Sequence, residues 1–403
     1  MDQKTFLCIT CYFKGAAFLK ACKDAGNRVF LVTSENLQTE DWPWESIDET
    51  FYMKEDEKGY WNNNDLVNAL AYLMRGNKID RIIALDDFDV ERVALIREEF
   101  RIPGMGQTTA RHFRDKLAMR MKAREGGINV PAFSSLFNDR EVQEFVTATP
   151  PPWVVKPRSE ASATGIRKIL SEKELWEHLH QIGDNRHHYL IEQFLPGDVY
   201  HVDALSYEGK NVFGRSSKYL NTPFEVAHAG GIFRTVTLEE TAKEHKELQA
   251  LNQELMRVFG MQHGASHSEY IRSYENDQFY FLETSSRVGG AHIAEMIEAA
   301  SGLNLWKEWA RIENCLLSGT PYKLPVPHHK LAAAIISLSR FEYPDDQSFN
   351  DPEIWWRMKK KHHIGFILQG TEPARLLDLL EDYGNRIANE FHAAIDAPER
   401  SSH

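Results

Sequence analysis

The chain reads as a mixed α/β and α+β protein, with a parallel strand–helix domain first and antiparallel strand pairs after it. Three observations carry this reading. Residues 4–33 run strand, helix, strand. An apolar strand at 153–156 delivers one lysine into a loop of small residues. Two strand-like segments, 268–273 and 278–283, flank the polar turn Glu275-Asn276-Asp277.

At 403 residues the chain is too long for one ordinary core, so two to three domains are expected. Its composition, 42% hydrophobic and 26% charged, is that of a globular protein. The net charge of -12 leaves no basic excess to release counterions, which argues against nucleic-acid and anionic-membrane partners. No apolar run reaches bilayer length, and Phe6 to Thr10 is too short for a signal-peptide core. The expected location is the cytoplasm. Four cysteines fit a reducing compartment. Cys8 and Cys11 form a C-x2-C without a second ligand pair at zinc spacing, and read as buried thiols.

In order along the chain, residues 5–9 are a buried strand and 16–25 a helix closed by Gly26. Residues 29–33 and 79–85 are further buried strands. The acidic loop Asp86-Asp87-Phe88-Asp89 precedes a helix over 90–100. The βαβ rhythm predicts a parallel sheet. Cys11-Tyr12-Phe13-Lys14-Gly15 stands where a G-x-G-x-x-G loop would follow the first strand, so a dinucleotide site is unsupported. The first domain is Rossmann-like without the usual ligand. A helix over 112–127 breaks at Gly126-Gly127. Pro150-Pro151-Pro152 stiffens the approach to the strand at 153–156. A helix over 173–183 and a strand over 189–192 lead to Phe194-Leu195-Pro196-Gly197, a hinge candidate. Strands dominate 199–237, a helix covers 239–259, and the last part has a strand over 331–338 and a helix over 374–394.

Lys156 sits at the end of its strand, Pro157 stops it, and residues 159–165 follow as a small, polar loop. An ammonium beside unhindered backbone N–H groups suits a phosphate. A plain strand end with a Ser/Ala-rich turn fits the segment equally simply. If the downstream turn centres on Asn276, Tyr270 pairs with Leu282, Ile271 with Phe281, and Glu269 lies opposite Glu283. Directly opposed like charges destabilise a hairpin, and burial makes it worse. A divalent cation between them reverses the sign, and magnesium takes carboxylate and phosphate oxygens together. A slip of one residue would remove the opposition. Ser285, Arg287, Gly289 and Gly290 follow within eight residues, adding a polar group, a positive clamp and exposed backbone.

Together these pieces resemble the ATP-grasp superfamily, in particular its carboxylate–amine ligases, with amino-acid ligases the nearest subtype. The matching stretch runs from Arg114 to Gly302, and the domain before it also resembles that family's usual preceding domain. The resemblance implies four regions: 1–111 Rossmann-like, 112–190 the small ATP-grasp subdomain with a phosphate lid, 191–318 the large subdomain with the metal site, and 319–403 a C-terminal extension packed on the large subdomain. It implies ATP with magnesium, or manganese in its place. Lys116 and Lys156 become phosphate lysines. Ser162, Thr164 and Gly165 lie in the lid. Glu192, Gln193, Phe194 and Leu195 form the adenine hinge, and Asp198 and His201 stand at the ribose. Glu269, Glu283 and Ser285 are the metal ligands, although the family usually has Asn at the position of Ser285. Val199 stands where many members carry a ribose-binding glutamate. Arg287, Lys156 and Lys218 are the catalytic cations. His228, Gly230, His267, Arg287, Gly289 and Gly290 line the substrate.

The reaction so implied joins a carboxylate to an amine through an acyl phosphate, releasing ADP and phosphate. Its partners are the small carboxylate and amine, with a homodimer compatible. A biotin-type carboxylase using bicarbonate is an alternative of the same class, and a non-catalytic ATP-binding protein one of a different class. Trp306 and Trp309, at helical spacing, read as core, and Glu308 and Glu313 as solvated.

Overall fold

The computed structural model describes residues 3–160, 165–221 and 230–393. Among them the strands fall into three sheets. In the first, β1 (Thr5–Thr10), β2 (Arg28–Ser34), β3 (Glu49–Met53) and β4 (Arg81–Ala84) are all parallel, in the order β3-β2-β1-β4. β1 is buried along its whole length, as its continuous apolar run requires in a sheet covered on both faces. The strand Glu49–Met53 and the helix Asn63–Leu73 complete the unit; neither stands out in the sequence. Asn62 caps that helix by accepting from the N–H groups of Asn64 and Asp65.

The expected helix over 112–127 is two shorter pieces, Gln107–Arg111 and Lys116–Glu125. Asp115 causes the break. Its carboxylate accepts from Leu117 N at 3.0 Å, a cap that starts a new helix at Lys116.

The second sheet is antiparallel, with β5 (Phe133–Ser135), β6 (Trp153–Pro157), β7 (Arg167–Ile169) and β8 (Tyr189–Gln193) in the order β5-β8-β6-β7. Trp153, Val155 and Ile191 turn into its core beneath the helices Asp139–Ala148 and Glu172–Ile182. The pleat therefore sends Val154, Lys156 and Glu192 to the other face.

The third sheet has eight antiparallel strands, ordered β13-β12-β9-β10-β11-β14-β16-β15. They are β9 (Gly197–Tyr207), β10 (Lys210–Tyr219), β11 (Phe233–Thr237), β12 (Gly264–Ser273), β13 (Phe279–Ser285), β14 (Leu331–Leu338), β15 (Ile354–Arg357) and β16 (His363–Gly370). The segment from 319 on, expected as a C-terminal extension, contributes β14, β15 and β16. Its strands continue the same sheet, joined through β11 and β14. One face, with Tyr200, Val202 and Tyr270, packs on the helix Lys243–Phe259.

A shared core ties the first sheet to the third. Phe18 of the helix Ala16–Asp24 meets Trp309 of the helix Leu305–Ser318 edge to face, with ring centroids 5.1 Å apart. Trp309 is core, as its spacing predicts. Glu308 and Glu313 are not solvated. Both are buried, Glu308 accepting from Tyr322 Oη at 2.6 Å and Glu313 lying 3.4 Å from Arg81 Nε. Burial is tolerated because each carboxylate has a partner. No helix among the described residues is long and apolar enough to cross a membrane.

Gly197 joins the second sheet to the third. A Cβ there would stand 2.2 Å from the carbonyl oxygen of Arg272. Backbone cannot retreat as a flexible side chain does, so Gly197→Ala is expected to destabilise the fold by about 2 kcal/mol, read as a lower urea midpoint at unchanged slope.

Candidate active site

The site brings Lys156 and Glu192 of the second sheet, and Lys116 and Arg120 of the helix Lys116–Glu125, to the face of the large sheet that carries Glu269 and Glu283. On the large sheet Glu269 of β12 is paired with Glu283 of β13. The register nearer the turn differs from the simple hairpin. Tyr270 pairs with Phe281 and Ile271 with Tyr280, and the register shifts between Glu269 and Tyr270. A bulge that takes up Leu282 brings the two glutamates into opposition. The alternation of β12 and β13 then places His267 and Ser285, which pair with each other, on the glutamate face.

Each glutamate has a separate counter-group. Lys116 Nζ stands 2.8 Å from Glu283 Oε2 and donates to Glu160 O at 2.6 Å. Burial resists the Glu283 charge, but Lys116, and further off Lys156, keep its carboxyl below the usual range. Glu269 Oε1 accepts from Tyr219 Oη at 2.8 Å and lies 3.6 Å from His267 Nε2. The His267 Nδ1 faces Asp203 Oδ1 at 2.9 Å. Burial disfavours a charged imidazole here, yet Asp203 and then Glu269 lift His267 to about 10. Gly289 lies over this pair: a Cβ would meet Asp203 Oδ1 at 2.6 Å and His267 Nδ1 at 3.1 Å.

On the small sheet Lys156 and Glu192 form a buried ion pair, and Arg120 Nε reaches the same carboxylate at 3.0 Å. Burial lowers Lys156 to about 8, with Glu192 pulling the other way. Two cations share one anion, so the cluster carries a net positive charge. Both terminal nitrogens of Arg120 are buried with no partner among the described residues. Arg120 is invisible as a site residue in the sequence. Its position one helical turn after Lys116, on the same helix face, was the available signal.

Arg287 is also buried. It donates from Nε to Asp87 Oδ2 at 2.9 Å and from Nη1 to Val288 O at 2.8 Å. Asp87 comes from the acidic loop of the first sheet, which the sequence reading left outside the site. Gly290 borders the guanidinium, its would-be Cβ 4.0 Å from Nη1.

Four residues expected at the site, His201, Asp198, Lys218 and Glu192, are placed differently. His201 is fully buried, with Nδ1 2.7 Å from Asp203 and Nε2 2.8 Å from Thr235 Oγ1, so neither nitrogen is offered to a ribose. Asp198 and Lys218 pair with each other at 2.7 Å. Strand alternation puts both on the face of Tyr200 and Arg272, opposite the glutamates. Lys218 therefore points away from the face of Glu269 and Glu283, and Tyr219, the next residue, faces it. Glu192, expected at the adenine hinge, turns its carboxylate to Lys156 and Arg120 instead. The N–H groups of Gln193 and Phe194 are committed to Ala132 O and Pro152 O. Leu195 packs with Val199, Ile271 and Tyr219 in an apolar floor on the glutamate face, which Leu282 joins. That floor was not recognised in the sequence. Gly165 and Gly230 are described, both at positive φ, while Ser162, Thr164 and His228 lie outside the described residues.

Comparison with known proteins fits this geometry. Residues 149–295 match the ATP-grasp domain family. The chain is 24% identical over 247 residues to the L-arginine-specific L-amino acid ligase of Bacillus subtilis, covering 60% of this chain and 59% of that protein. It is 30% identical over 105 residues to the D-alanine–D-alanine ligase of Marinobacter nauticus, covering 26% of this chain and 32% of that protein. The alignments thus span less than two thirds of either curated relative. Among solved structures, an L-amino acid ligase from Bacillus licheniformis superposes with a TM-score of 0.72 at 15% identity, covering 97% of this chain and 99% of that one. The biotin carboxylase domain of the Hydrogenobacter thermophilus 2-oxoglutarate carboxylase gives 0.71 at 15% identity, covering 96% and 90%. The fold is a mixed α/β ATP-grasp fold. The chain resembles the carboxylate–amine ligases of that superfamily.

The lysine cluster makes a stability prediction. Glu192→Gln leaves Lys156 and Arg120 buried without their anion, and is expected to cost about 3–5 kcal/mol in chemical denaturation.

Proposed function

We propose that this protein is an ATP-dependent ligase that joins an amino-acid carboxylate to an amine through an acyl phosphate, releasing ADP and phosphate. The observation that carries the reading is the opposed Glu269–Glu283 pair facing Lys116 and Lys156. In this reading the domains are a Rossmann-like unit over 1–111, a small subdomain over 112–190, a large subdomain over 191–318 and the extension over 319–403. The parallel order of the first sheet supports the first of these.

The donor set fits magnesium. Glu269 and Glu283 offer hard carboxylate oxygens on adjacent strands, and Ser285 adds a hydroxyl on the same face. When bound there, magnesium neutralises phosphate charge. The apolar floor of Leu195, Val199 and Ile271 gives an adenine a surface beside the hinge. Lys156 and Lys116 draw the phosphates, and the net positive lysine cluster gains by their arrival. Arg287 orients the carboxylate that attacks the γ-phosphate and then holds the acyl phosphate. The amine then displaces phosphate, and the acyl phosphate has to be shielded from water until it does. His267, between Asp203 and Glu269, positions the metal-binding carboxylate.

Purified protein with Mg-ATP and pooled amino acids is expected to release ADP and phosphate. AMP and pyrophosphate as products would sink the acyl-phosphate route. Lys156→Ala leaves Glu192 still paired with Arg120, so the variant is expected to fold while losing about 10²–10³-fold in ADP formation.

The sign of the pH effect follows from burial. Lys156 titrates near 8 before nucleotide arrives, so ATP meets less ammonium as pH rises. The dissociation constant of Mg-ATP is expected to rise above about pH 8, approaching tenfold per pH unit. Calorimetry from pH 7 to 9.5 reads this, and Lys156→Arg should flatten the profile, because a guanidinium stays charged throughout.

A further inference from the structure

The turn that follows Arg287 is held in a backbone conformation its own residues do not favour. Gly290 O accepts from Ile293 N at 2.9 Å, which closes a β-turn. Its two central residues, Ala291 and His292, both have positive φ, 49° and 56°. That is the pattern of a type I′ turn, which Asn, Asp and Gly occupy at little cost. The Cβ of alanine or histidine crowds the following carbonyl there, and alanine has no side-chain hydrogen bond to offset it. Two such residues in succession persist only where contacts from elsewhere over-determine them.

One end of the turn is fixed by the site itself. Arg287 Nη1 donates to Val288 O at 2.8 Å, and Gly289 lies so close to Asp203 that a Cβ would stand 2.6 Å from its Oδ1. The other end is fixed from the C-terminal strands. The His292 ring lies on the Trp356 ring, with centroids 4.5 Å apart and planes at 34°, and its Nδ1 stands 3.4 Å from Glu295 Oε2. A bulge in β15 sets Trp356 there. Ile354 pairs with Leu368 and Trp356 with Ile367, so Trp355 is taken up between them. Trp355 is left exposed, while Trp356 packs on the core that includes Ile293 and Ala294. The helix Ile293–Ser301, which starts at this turn, is held near its far end too: Gln369 Nε2 of β16 donates to Ala299 O at 2.6 Å. Gly290, between the two fixed ends, borders the Arg287 guanidinium.

We propose that Trp356, acting through His292, is a positioning residue for the activated carboxylate: its ring holds the strained turn, and the turn holds the Gly290 backbone beside Arg287. This rests on the ligase reading above. Loss of the stack lets Ala291 and His292 relax towards negative φ, and Gly290 then leaves its place at the guanidinium. The effect falls on the carboxylate and acyl phosphate that Arg287 holds. It spares the nucleotide, whose lysines stand on the helix Lys116–Glu125 and on β6.

The test uses the full chain with Mg-ATP, hydroxylamine and whichever proteinogenic L-amino acid gives the most hydroxamate, measuring hydroxamate and ADP. Trp356→Ala is expected to raise the KM of the amino acid and to lower its kcat/KM by about tenfold. The KM of Mg-ATP should stay within about twofold of wild type. Trp356→Phe keeps a ring for His292 and should recover most of the loss. His292→Ala should reproduce the Trp356→Ala values, and the double variant should be no worse than either, because both remove one contact. Ala291→Gly added to Trp356→Ala should return part of the lost affinity, since glycine takes a positive φ freely. An unchanged amino-acid KM in Trp356→Ala, multiplied losses in the double variant, or equal losses towards amino acid and Mg-ATP overturn the assignment. If Trp356→Ala does not fold, His292→Ala with and without Ala291→Gly decides: an unchanged amino-acid KM, or no gain from the glycine, overturns it. Those outcomes leave the ligase reading standing, whereas no amino-acid-dependent ADP release by the wild type overturns both.

Discussion

Two half-buried carboxylates held face to face on neighbouring strands repel unless positive or donating groups stand beside them, and the site is arranged around that constraint. Glu283 is answered from the helix Lys116–Glu125 by Lys116, and Glu269 from its own sheet by His267 and Tyr219. The answers differ in kind. Lys116 stands on the helix Lys116–Glu125, whose Met119 and Ala123 pack into the same core as Tyr200 and Phe281 of the large sheet. His267 belongs to the same strand as Glu269 and is locked by Asp203, so it fixes the carboxylate whatever the other unit does.

The small unit has the complementary imbalance. Lys156 and Arg120 share the single anion of Glu192. In the proposed reading, the excess anion of Glu269 and Glu283 suits a metal and the excess cation of Lys156 and Arg120 suits phosphates. Electrostatic preorganisation of this kind lets a site stabilise transferring phosphate without covalent participation by the protein.

The first sheet adds to the site through one residue. The core of Phe18 and Trp309 holds that sheet against the large unit, and the rigidity of the packing lets Asp87 meet Arg287 at hydrogen-bond distance. A loop-borne contact between separately moving domains would not keep that register.

Much of this was legible in sequence because it depends on local rules. The buried runs at 5–9 and 29–33, the lysine ending its strand at 156 and the proline after it follow from strand periodicity and backbone chemistry. The opposition of Glu269 and Glu283 was also legible, although by a route the structure alters: the bulge at Leu282 restores a pairing that a simple hairpin reached by plain counting. What failed was whatever depended on which face of a sheet is covered. Lys218 and Tyr219 are neighbours in sequence, and only the helix Lys243–Phe259, packed on one face, turns the first away from the site and the second into it. His201 looked available until Asp203 and Thr235 closed over both its nitrogens. Arg120 and Asp87 carry no motif and enter the site through partners 72 and 200 residues away. The sequence alone determined the strands, the lysine at the end of its strand and the facing glutamates, since each follows from short-range pattern. The tertiary structure alone decided which charges meet, because burial and pairing are set by elements distant in the chain.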